Sequence, residues 1–182
     1  MVEKVYLDAN QLLDDAFLLG SKILDSEFFP DLLIGVWRGG TPIAIAVHEL
    51  LRYQGLALDH IPIRTSLYSG TGECHEKVEV HGLSYVGQQR KKIQRILIVD
   101  DVFDSGLTIK QVMYDIAALT KGESIDVRVA VPWFKPENNK TEYIPDYFLY
   151  TTEAWLVFPH ELCGLSQEEI LAHKPSVGKI IL

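Results

Sequence analysis

Two adjacent carboxylates open the segment of this chain with the most chemistry, Asp100-Asp101-Val102-Phe103-Asp104-Ser105-Gly106-Leu107-Thr108. The acids follow a short apolar run, Arg95 to Val99, and precede apolar residues at helical spacing, Ile109 to Leu119. This order predicts a buried strand, a turn and a helix, with the acids at the carboxyl end of the strand, where open α/β sheets bind ligands. Two adjacent acids at this place can hold vicinal hydroxyl groups or Mg²⁺.

The turn from Asp104 to Thr108 combines small side chains with the free N–H groups of a helix N-terminus, a combination that favours an anion. The lysine of a nucleotide-binding Walker A loop is missing, so a phosphate monoester is a better ligand than a nucleoside triphosphate. The acids and this turn could therefore hold one sugar phosphate. In the alternative interpretation, Asp101 or Asp104 only caps the helix and Asp100 is solvated at the strand end.

A second strand-to-helix turn contains Arg38-Gly39-Gly40. The glycines let backbone amides approach an anion closely, and the guanidinium adds a positive charge, so a diphosphate would suit this turn. A plain structural turn is the alternative.

Length and composition limit the fold class and the kinds of partner. A length of 182 residues and a hydrophobic content of 47% predict one globular domain. A net charge of −8 argues against nucleic-acid and anionic-membrane partners, which favour clustered basic residues. Cys74 and Cys163 show no metal-ligand spacing, and we find no signal peptide and no apolar run that could cross a bilayer. We therefore expect a cytoplasmic protein.

The remaining pattern predicts strands that alternate with helices, and hence a mainly parallel sheet. A region rich in glycine, serine and charge, Tyr68 to Gln89, predicts a long functional loop. We expect Thr41 to cap a helix whose first residue is Pro42. The predicted helices are Asp8 to Glu27, Thr41 to Tyr53 and Ile109 to Leu119, and the predicted strands are Asp31 to Trp37, Ile61 to Leu67, Arg95 to Val99, Ile125 to Val131 and Tyr147 to Leu149.

The acidic segment closely resembles the 5-phosphoribosyl 1-diphosphate (PRPP) binding motif of type I phosphoribosyltransferases, in which two acids and two further residues precede Asp-Thr/Ser-Gly-x-Thr. Ser105 stands where threonine is commoner. Arg38-Gly39-Gly40 matches the diphosphate-binding loop of the family, and purine enzymes of the xanthine-guanine type have the same three residues there. The resemblance implies an α/β, Rossmann-like fold over residues 1–182, with a mainly parallel sheet flanked by helices, a flexible loop at about 68–90, and a small hood of terminal segments that binds the base at about 135–165.

The resemblance also implies the reaction. A purine phosphoribosyltransferase transfers the 5-phosphoribosyl group from PRPP to a 6-oxopurine (hypoxanthine, guanine or xanthine), giving a nucleoside monophosphate and diphosphate in purine salvage. Asp104 would exchange a proton with the base, and Mg²⁺ would be held by Asp100, Asp101 and Glu161. The residues implied in PRPP binding are Arg38, Gly39, Asp100, Asp101, Asp104, Ser105, Gly106, Leu107 and Thr108.

Base recognition is implied for two further segments. Lys135, in Lys135-Pro136, matches a lysine whose amine reaches the exocyclic oxygen of the base, and Trp155 with Leu156 matches the aromatic segment that stacks on the ring. Ser66 and Tyr68 would help to cover the site. Family members are commonly dimers or tetramers, so a homodimer or homotetramer is expected.

Two alternatives come from other classes of protein. A phosphorelay receiver also has paired acids and a Lys-Pro, but its acid pair ends the first strand, whereas Asp100 lies in the middle of this chain. A non-catalytic regulator could keep the same fold to sense PRPP. Such a regulator would need a nucleic-acid-binding surface, which the acidic composition does not favour.

Overall fold

The computed structural model describes residues 4–68, 77–121 and 123–181, which form two compact units. The larger unit, residues 13–153, contains the central sheet and is called the sheet unit. The smaller unit joins residues 4–12 to residues 154–181 and is called the terminal unit.

The described strands of the sheet unit are β2 Leu32–Trp37, β3 Asp59–Tyr68, β4 Lys77–His81, β5 Arg95–Val99, β6 Val102–Phe103, β7 Asp126–Phe134 and β8 Tyr147–Thr151. They form one sheet in the order β4-β3-β2-β5-β7-β6, with β8 also paired to β7. Among the pairings of these described strands, only that of β3 with β4 is antiparallel, so the expectation of a mainly parallel sheet is confirmed.

The helices described before residue 154 are α1 Ala9–Asp25, α2 Gly40–Tyr53, α3 Ser84–Gln89 and α4 Leu107–Thr120. An amphipathic helix packs on a sheet because it has an apolar stripe to bury. In α4, Ile109, Val112 and Ile116 recur at helical spacing and pack in one core with Ile34 of β2 and Ile98 of β5. On α2, Ala44 packs so closely against β2 that a Cβ at Gly35 would lie 2.9 Å from its methyl carbon.

The terminal unit contains a two-stranded parallel sheet and two short helices. Strand β1, Lys4–Tyr6, pairs with β9, Trp155–Val157, and the helices are α5 Gln167–His173 and α6 Pro175–Ile181. Ser166 and Glu169 form a capping box at the start of α5. Since this unit begins again at Ala154, the range expected for the base-binding hood, about 135–165, includes residues of both units.

Two of the local expectations are wrong. Within Tyr68 to Gln89, residues 69–76 lie outside the described part of the structure, and the following residues include β4 and α3 instead of a continuous loop, because Val78 and Val80 alternate with polar residues and Val86 is buried. A role of this region in covering the site stays a prediction. Thr41 does not cap α2, which begins at Gly40 with Gly39 at the N-cap and no side-chain cap bond. The two glycines provide the turn that a capping side chain would otherwise stabilise.

Among the described helices, none is both long and apolar enough to cross a membrane.

Candidate active site

The two adjacent acids lie at the carboxyl end of β5 and are oriented by short backbone contacts. Asp100 Oδ1 accepts the N–H of Asp101 at 2.9 Å, and Asp101 Oδ1 accepts the N–H of Val102 at 2.9 Å. The N–H of Asp100 donates to Ala130 O in β7 at 3.1 Å. Both carboxyl groups are therefore held at the edge of the sheet where the sequence places them.

The glycine turn after β2 packs directly on these acids. A Cβ at Gly39 would lie 1.7 Å from Asp101 Oδ2, and a Cβ at Gly40 would lie 2.6 Å from Asp100 Cα and 2.7 Å from Val99 O. Only glycine fits at either position without displacement of the acids. Because β2 and β5 are neighbours, their carboxyl ends bring the two predicted motifs together, with exposed Arg38 beside the turn.

The electrostatics at the acid pair favour a cation. Burial, followed by the neighbouring carboxylate of Asp101, raises the pKa of Asp100 well above its usual range. A divalent cation or an array of hydroxyl donors would offset that cost. The carboxylate oxygens are the hard ligands that Mg²⁺ prefers, so the donor set fits this ion. Over residues 4–68, 77–121 and 123–181, no three His, Cys, Asp or Glu side chains are clustered for metal binding.

The turn after the acids has the geometry expected of an anion site. Gly106 adopts a left-handed conformation with φ of 75° and is the N-cap of α4, and the N–H of Leu107 points to Ser105 Oγ at 3.5 Å. The N-cap residue is this glycine, which has no side chain to cap the helix. The alternative in which Asp101 or Asp104 is the N-cap residue is therefore wrong. The first-turn amides of α4, including those of Leu107 and Thr108, lie directly after the turn.

The polar loop after β7, whose role the sequence did not reveal, supports this turn. The N–H of Lys140 donates to Ser105 O at 3.0 Å. A Cβ at Gly106 would lie 2.6 Å from Thr141 Oγ1 and 2.8 Å from Asn139 Oδ1, and that Asn139 oxygen accepts both the N–H and the hydroxyl of Thr141. The spacing of Asn139 and Thr141 is typical of an Asx turn, but it does not reveal which segment the turn contacts.

Lys135 and Asp104 meet beside the acid pair. Strand β6 pairs with the end of β7, matching Phe103 to Phe134, and the N–H of Lys135 donates to Phe103 O at 2.9 Å. Lys135 Nζ lies 3.5 Å from Asp104 Oδ2, with the lysine side chain nearly buried and the carboxylate half exposed. A cation and an acid are thus presented together at one end of the sheet.

The family follows from a match over most of the chain. Residues 5–166 match the phosphoribosyl transferase domain. The chain belongs to the phosphoribosyltransferase family.

Solved structures agree with the family assignment of this phosphoribosyltransferase. A purine phosphoribosyltransferase from Pyrococcus horikoshii is 30% identical, with a TM-score of 0.70 over 90% of this chain and 97% of that chain. A hypothetical protein from Neisseria gonorrhoeae with bound ppGpp is 22% identical, with a TM-score of 0.73 over 96% of this chain and 98% of that chain.

A third neighbour is the xanthine-guanine-hypoxanthine phosphoribosyltransferase of Helicobacter pylori, which is 19% identical, with a TM-score of 0.64 over 87% of this chain and 92% of that chain. At that identity it shows the shared fold, as the Neisseria protein does. No curated protein sequence matches this chain significantly. The resemblance drawn from the sequence is confirmed, and the receiver alternative is wrong.

The sheet unit of this phosphoribosyltransferase brings together most of the predicted site residues. Around the carboxyl ends of β2 and β5 it places Arg38, Gly39, Asp100, Asp101, Asp104, Ser105, Gly106, Leu107, Thr108 and Lys135. Ser66 and Tyr68 lie in β3, paired with Glu79 and Lys77 of β4. The Ser66 hydroxyl is buried without a hydrogen-bond partner among the described residues, and the Tyr68 side chain lies outside the described part of the structure.

The other predicted residues belong to the terminal unit. Trp155 begins β9 with 58% of its surface exposed, whereas Leu156 is buried. Glu161 follows the strand, and its Oε2 accepts the N–H of Phe158 at 2.9 Å. One oxygen of Glu161 is therefore used to close a turn, and metal binding by this carboxylate stays a prediction.

Proposed function

We propose that this phosphoribosyltransferase transfers the 5-phosphoribosyl group of PRPP to a 6-oxopurine and releases diphosphate. The observation that carries the proposal is the pairing of Lys135 with Asp104 beside the acid pair and the glycine turn. A cation and an acid side by side suit a base that presents an exocyclic oxygen next to a ring nitrogen that must lose a proton. The name of the Pyrococcus horikoshii relative, a purine phosphoribosyltransferase, supports the same substrate class.

Charge and position assign a role in PRPP binding to each group of residues. The ribose C1 becomes positively charged as diphosphate leaves, so the enzyme must neutralise the leaving group and hold both reactants in line. Arg38 and the amides of the glycine turn would bind the diphosphate, and the acid pair would hold the ribose hydroxyls. The amides from Ser105 to Thr108 would bind the 5-phosphate.

In the proposal, Mg²⁺ would offset negative charge of the acid pair and of the diphosphate. When bound to PRPP, Mg²⁺ supplies positive charge to the diphosphate, and Asp100 and Asp101 are the residues that would hold it. A bound cation would favour the ionised form of Asp100, against the burial and the Asp101 carboxylate that raise its pKa.

In the proposal, three side chains act on the purine base, each in a different way. Lys135 donates to the exocyclic oxygen, Asp104 accepts or returns the ring-nitrogen proton, and the exposed face of Trp155 stacks on the purine. An amino group in place of the oxygen, as in adenine, would set a donor against the Lys135 ammonium. The site should therefore disfavour adenine.

Measuring turnover with four different bases tests this proposal. The full chain is incubated with PRPP, Mg²⁺ and either hypoxanthine, guanine, xanthine or adenine, and nucleotide is separated and quantified. We expect turnover with at least one 6-oxopurine and little with adenine. Lys135→Met should lower 6-oxopurine turnover, while Lys140→Met, which changes an exposed lysine of the neighbouring loop, should not. PRPP binding without turnover on any base would instead indicate a PRPP-sensing regulator.

A further inference from the structure

The last helices of the chain lie outside the region that matches the family. The match ends at residue 166, and α5 begins at Gln167. Within the terminal unit, α5 contacts β1, and its C-cap residue Lys174 contacts the turn that follows β9. These contacts point to a role of α5 in positioning β9.

The first contact links α5 to β1 through one carboxylate. Glu169 Oε1 accepts from Lys4 Nζ at 2.6 Å and from the Tyr6 hydroxyl at 2.8 Å, while Oε2 accepts the N–H of Ser166. The ring of Tyr6 stacks on His173 with centroids 3.7 Å apart. These contacts fix β1, and β1 in turn pairs with β9 so that Lys4 lies beside Trp155.

The second contact reaches the turn that follows β9. Lys174, the C-cap of α5, donates from Nζ to Phe158 O at 2.7 Å and to Pro159 O at 3.0 Å. The same turn is closed by Glu161, whose N–H donates to Phe158 O and whose carboxylate accepts the Phe158 N–H. One ammonium therefore holds two successive carbonyl groups immediately after the strand that carries Trp155.

The ammonium group of Lys174 is partly removed from water where it contacts the two carbonyl groups. Burial lowers the pKa of Lys174 from its ordinary value, with the nearby carboxylate of Glu161 acting in the opposite direction. An ammonium is costly to remove from water, so its placement on two carbonyls defines the geometry of the turn more strongly than an exposed lysine would.

We propose that Lys174 is a positioning residue for purine binding: by holding the Phe158 and Pro159 carbonyls, it fixes the end of β9 and hence the orientation of Trp155. The inference rests on the proposed function, in which Trp155 stacks on the base. Loss of the ammonium would leave β9 paired to β1 but free to shift at its carboxyl end. Purine affinity should fall, while the PRPP residues of the sheet unit keep their own contacts.

Steady-state kinetics test the functional part of the proposal. In Lys174→Met, KM for the purine should rise by roughly five- to tenfold, since a hydrogen bond to a charged group can account for about a tenfold change. KM for PRPP should stay unchanged. Lys174→Arg can still donate to two carbonyl groups, so it should retain most of the purine affinity. The control is Lys179→Met, which changes an exposed lysine of α6 and should leave both KM values as they are in the unmodified chain.

Hydrogen exchange tests the structural part without turnover. The amides of Phe158 and Glu161 should exchange faster in Lys174→Met than in Lys179→Met, with no change in residues 95–121. If the unmodified chain turns over no purine, the proposed function fails, and faster exchange at these amides still shows that Lys174 fixes the turn after β9.

Two results would overturn the inference: unchanged exchange at both amides, or an unchanged purine KM in an active Lys174→Met enzyme. If Lys174→Met does not fold, Lys174→Gln, which keeps one donor group, gives the same comparison.

Discussion

Lys135 Nζ lies 3.5 Å from Asp104 Oδ2, although Asp104 lies between β6 and α4 and Lys135 follows β7. The contact depends on β6, a strand of two residues that pairs Phe103 with Phe134 and so brings the acidic segment to the end of β7. The lysine is nearly buried, whereas the carboxylate is half exposed. One side of Asp104 is thus open to a ligand while the other faces a fixed positive charge.

This pairing makes Asp104→Asn informative. The amide keeps the shape and can still approach Lys135, but it cannot exchange a proton, a step that typically contributes about 10²- to 10⁴-fold to turnover. We expect kcat to fall within that range, with a small change in KM for PRPP. Thermal unfolding should change little, because ion pairs with an exposed partner contribute at most about 1 kcal/mol.

The matched control is Asp14→Asn, in an exposed acid of α1, which should leave kcat unchanged. An Asp104→Asn enzyme with normal kcat and a raised KM alone would show that Asp104 acts only in binding or local structure.

The glycine turn gives a second prediction, in which two neighbouring substitutions act differently. A Cβ at Gly40 meets the backbone at Asp100 Cα and Val99 O, which cannot move cheaply, so Gly40→Ala should destabilise the fold by roughly 1–3 kcal/mol. A Cβ at Gly39 meets the carboxylate of Asp101, so Gly39→Ala should displace that group and raise KM for PRPP by about tenfold, as a loss of 1.4 kcal/mol would.

Denaturant unfolding and PRPP kinetics measure both effects. Gly87→Ala is the control, because its Cβ would make only an ordinary 3.5 Å contact with Leu119 and alanine favours the helix. Equal loss of stability in the Gly39 and Gly40 variants would show that the turn contributes to folding rather than to PRPP binding.

Much of the site could be predicted because each motif is local. The apolar run before Asp100, the short turn at Gly106 and the helix after it lie within one segment, and parallel topology then places Arg38 nearby. The Lys135–Asp104 contact could not be predicted in the same way, because it depends on strand β6. This strand has two residues, too few to show the alternation of apolar and polar residues by which a strand is recognised.

The missed elements share a physical cause. In β4, two valines alternate with charged residues beside a segment rich in glycine, so composition conceals the strand. Helices α5 and α6 have seven residues each and depend on contacts such as Glu169 with Lys4, which are distant in sequence. Short elements are stabilised by tertiary packing, and their own sequences carry little signal.

Stacking by Trp155 gives a third prediction. Trp155→Ala removes an exposed aromatic face, and base stacking on such faces is worth on the order of 1–3 kcal/mol, so KM for the purine should rise many-fold. Trp155→Phe should retain much of that affinity, and KM for PRPP should stay constant in both variants. Equal weakening of purine and PRPP, or loss of folding in both variants, would identify Trp155 as a structural residue instead.

Glu169 gives a pH-dependent prediction for stability. Its hydrogen bonds, first from Lys4, then from the Ser166 backbone and Tyr6, lower its pKa from 4.5 to about 2. Because the folded value is depressed, the stabilising effect is complete above the ordinary pKa and is lost as pH falls toward 2. Glu169→Gln should therefore lower Tm at pH 7, and the difference from the unmodified chain should shrink between pH 4.5 and pH 2.

Glu168→Gln, in an exposed acid of the same helical turn, should show a much smaller difference at every pH. If the Tm difference for Glu169→Gln were constant across this range, the carboxylate would contribute no ionic stabilisation.

The most direct measurement quantifies diphosphate and purine nucleotide in the same reaction of the full chain with PRPP, Mg²⁺ and a 6-oxopurine. The proposal predicts that both products form in equal amounts, only when PRPP and the base are both present, and far more slowly in Asp104→Asn. Diphosphate or nucleotide that forms without its counterpart, or no product with hypoxanthine, guanine or xanthine, would contradict phosphoribosyl transfer to a 6-oxopurine.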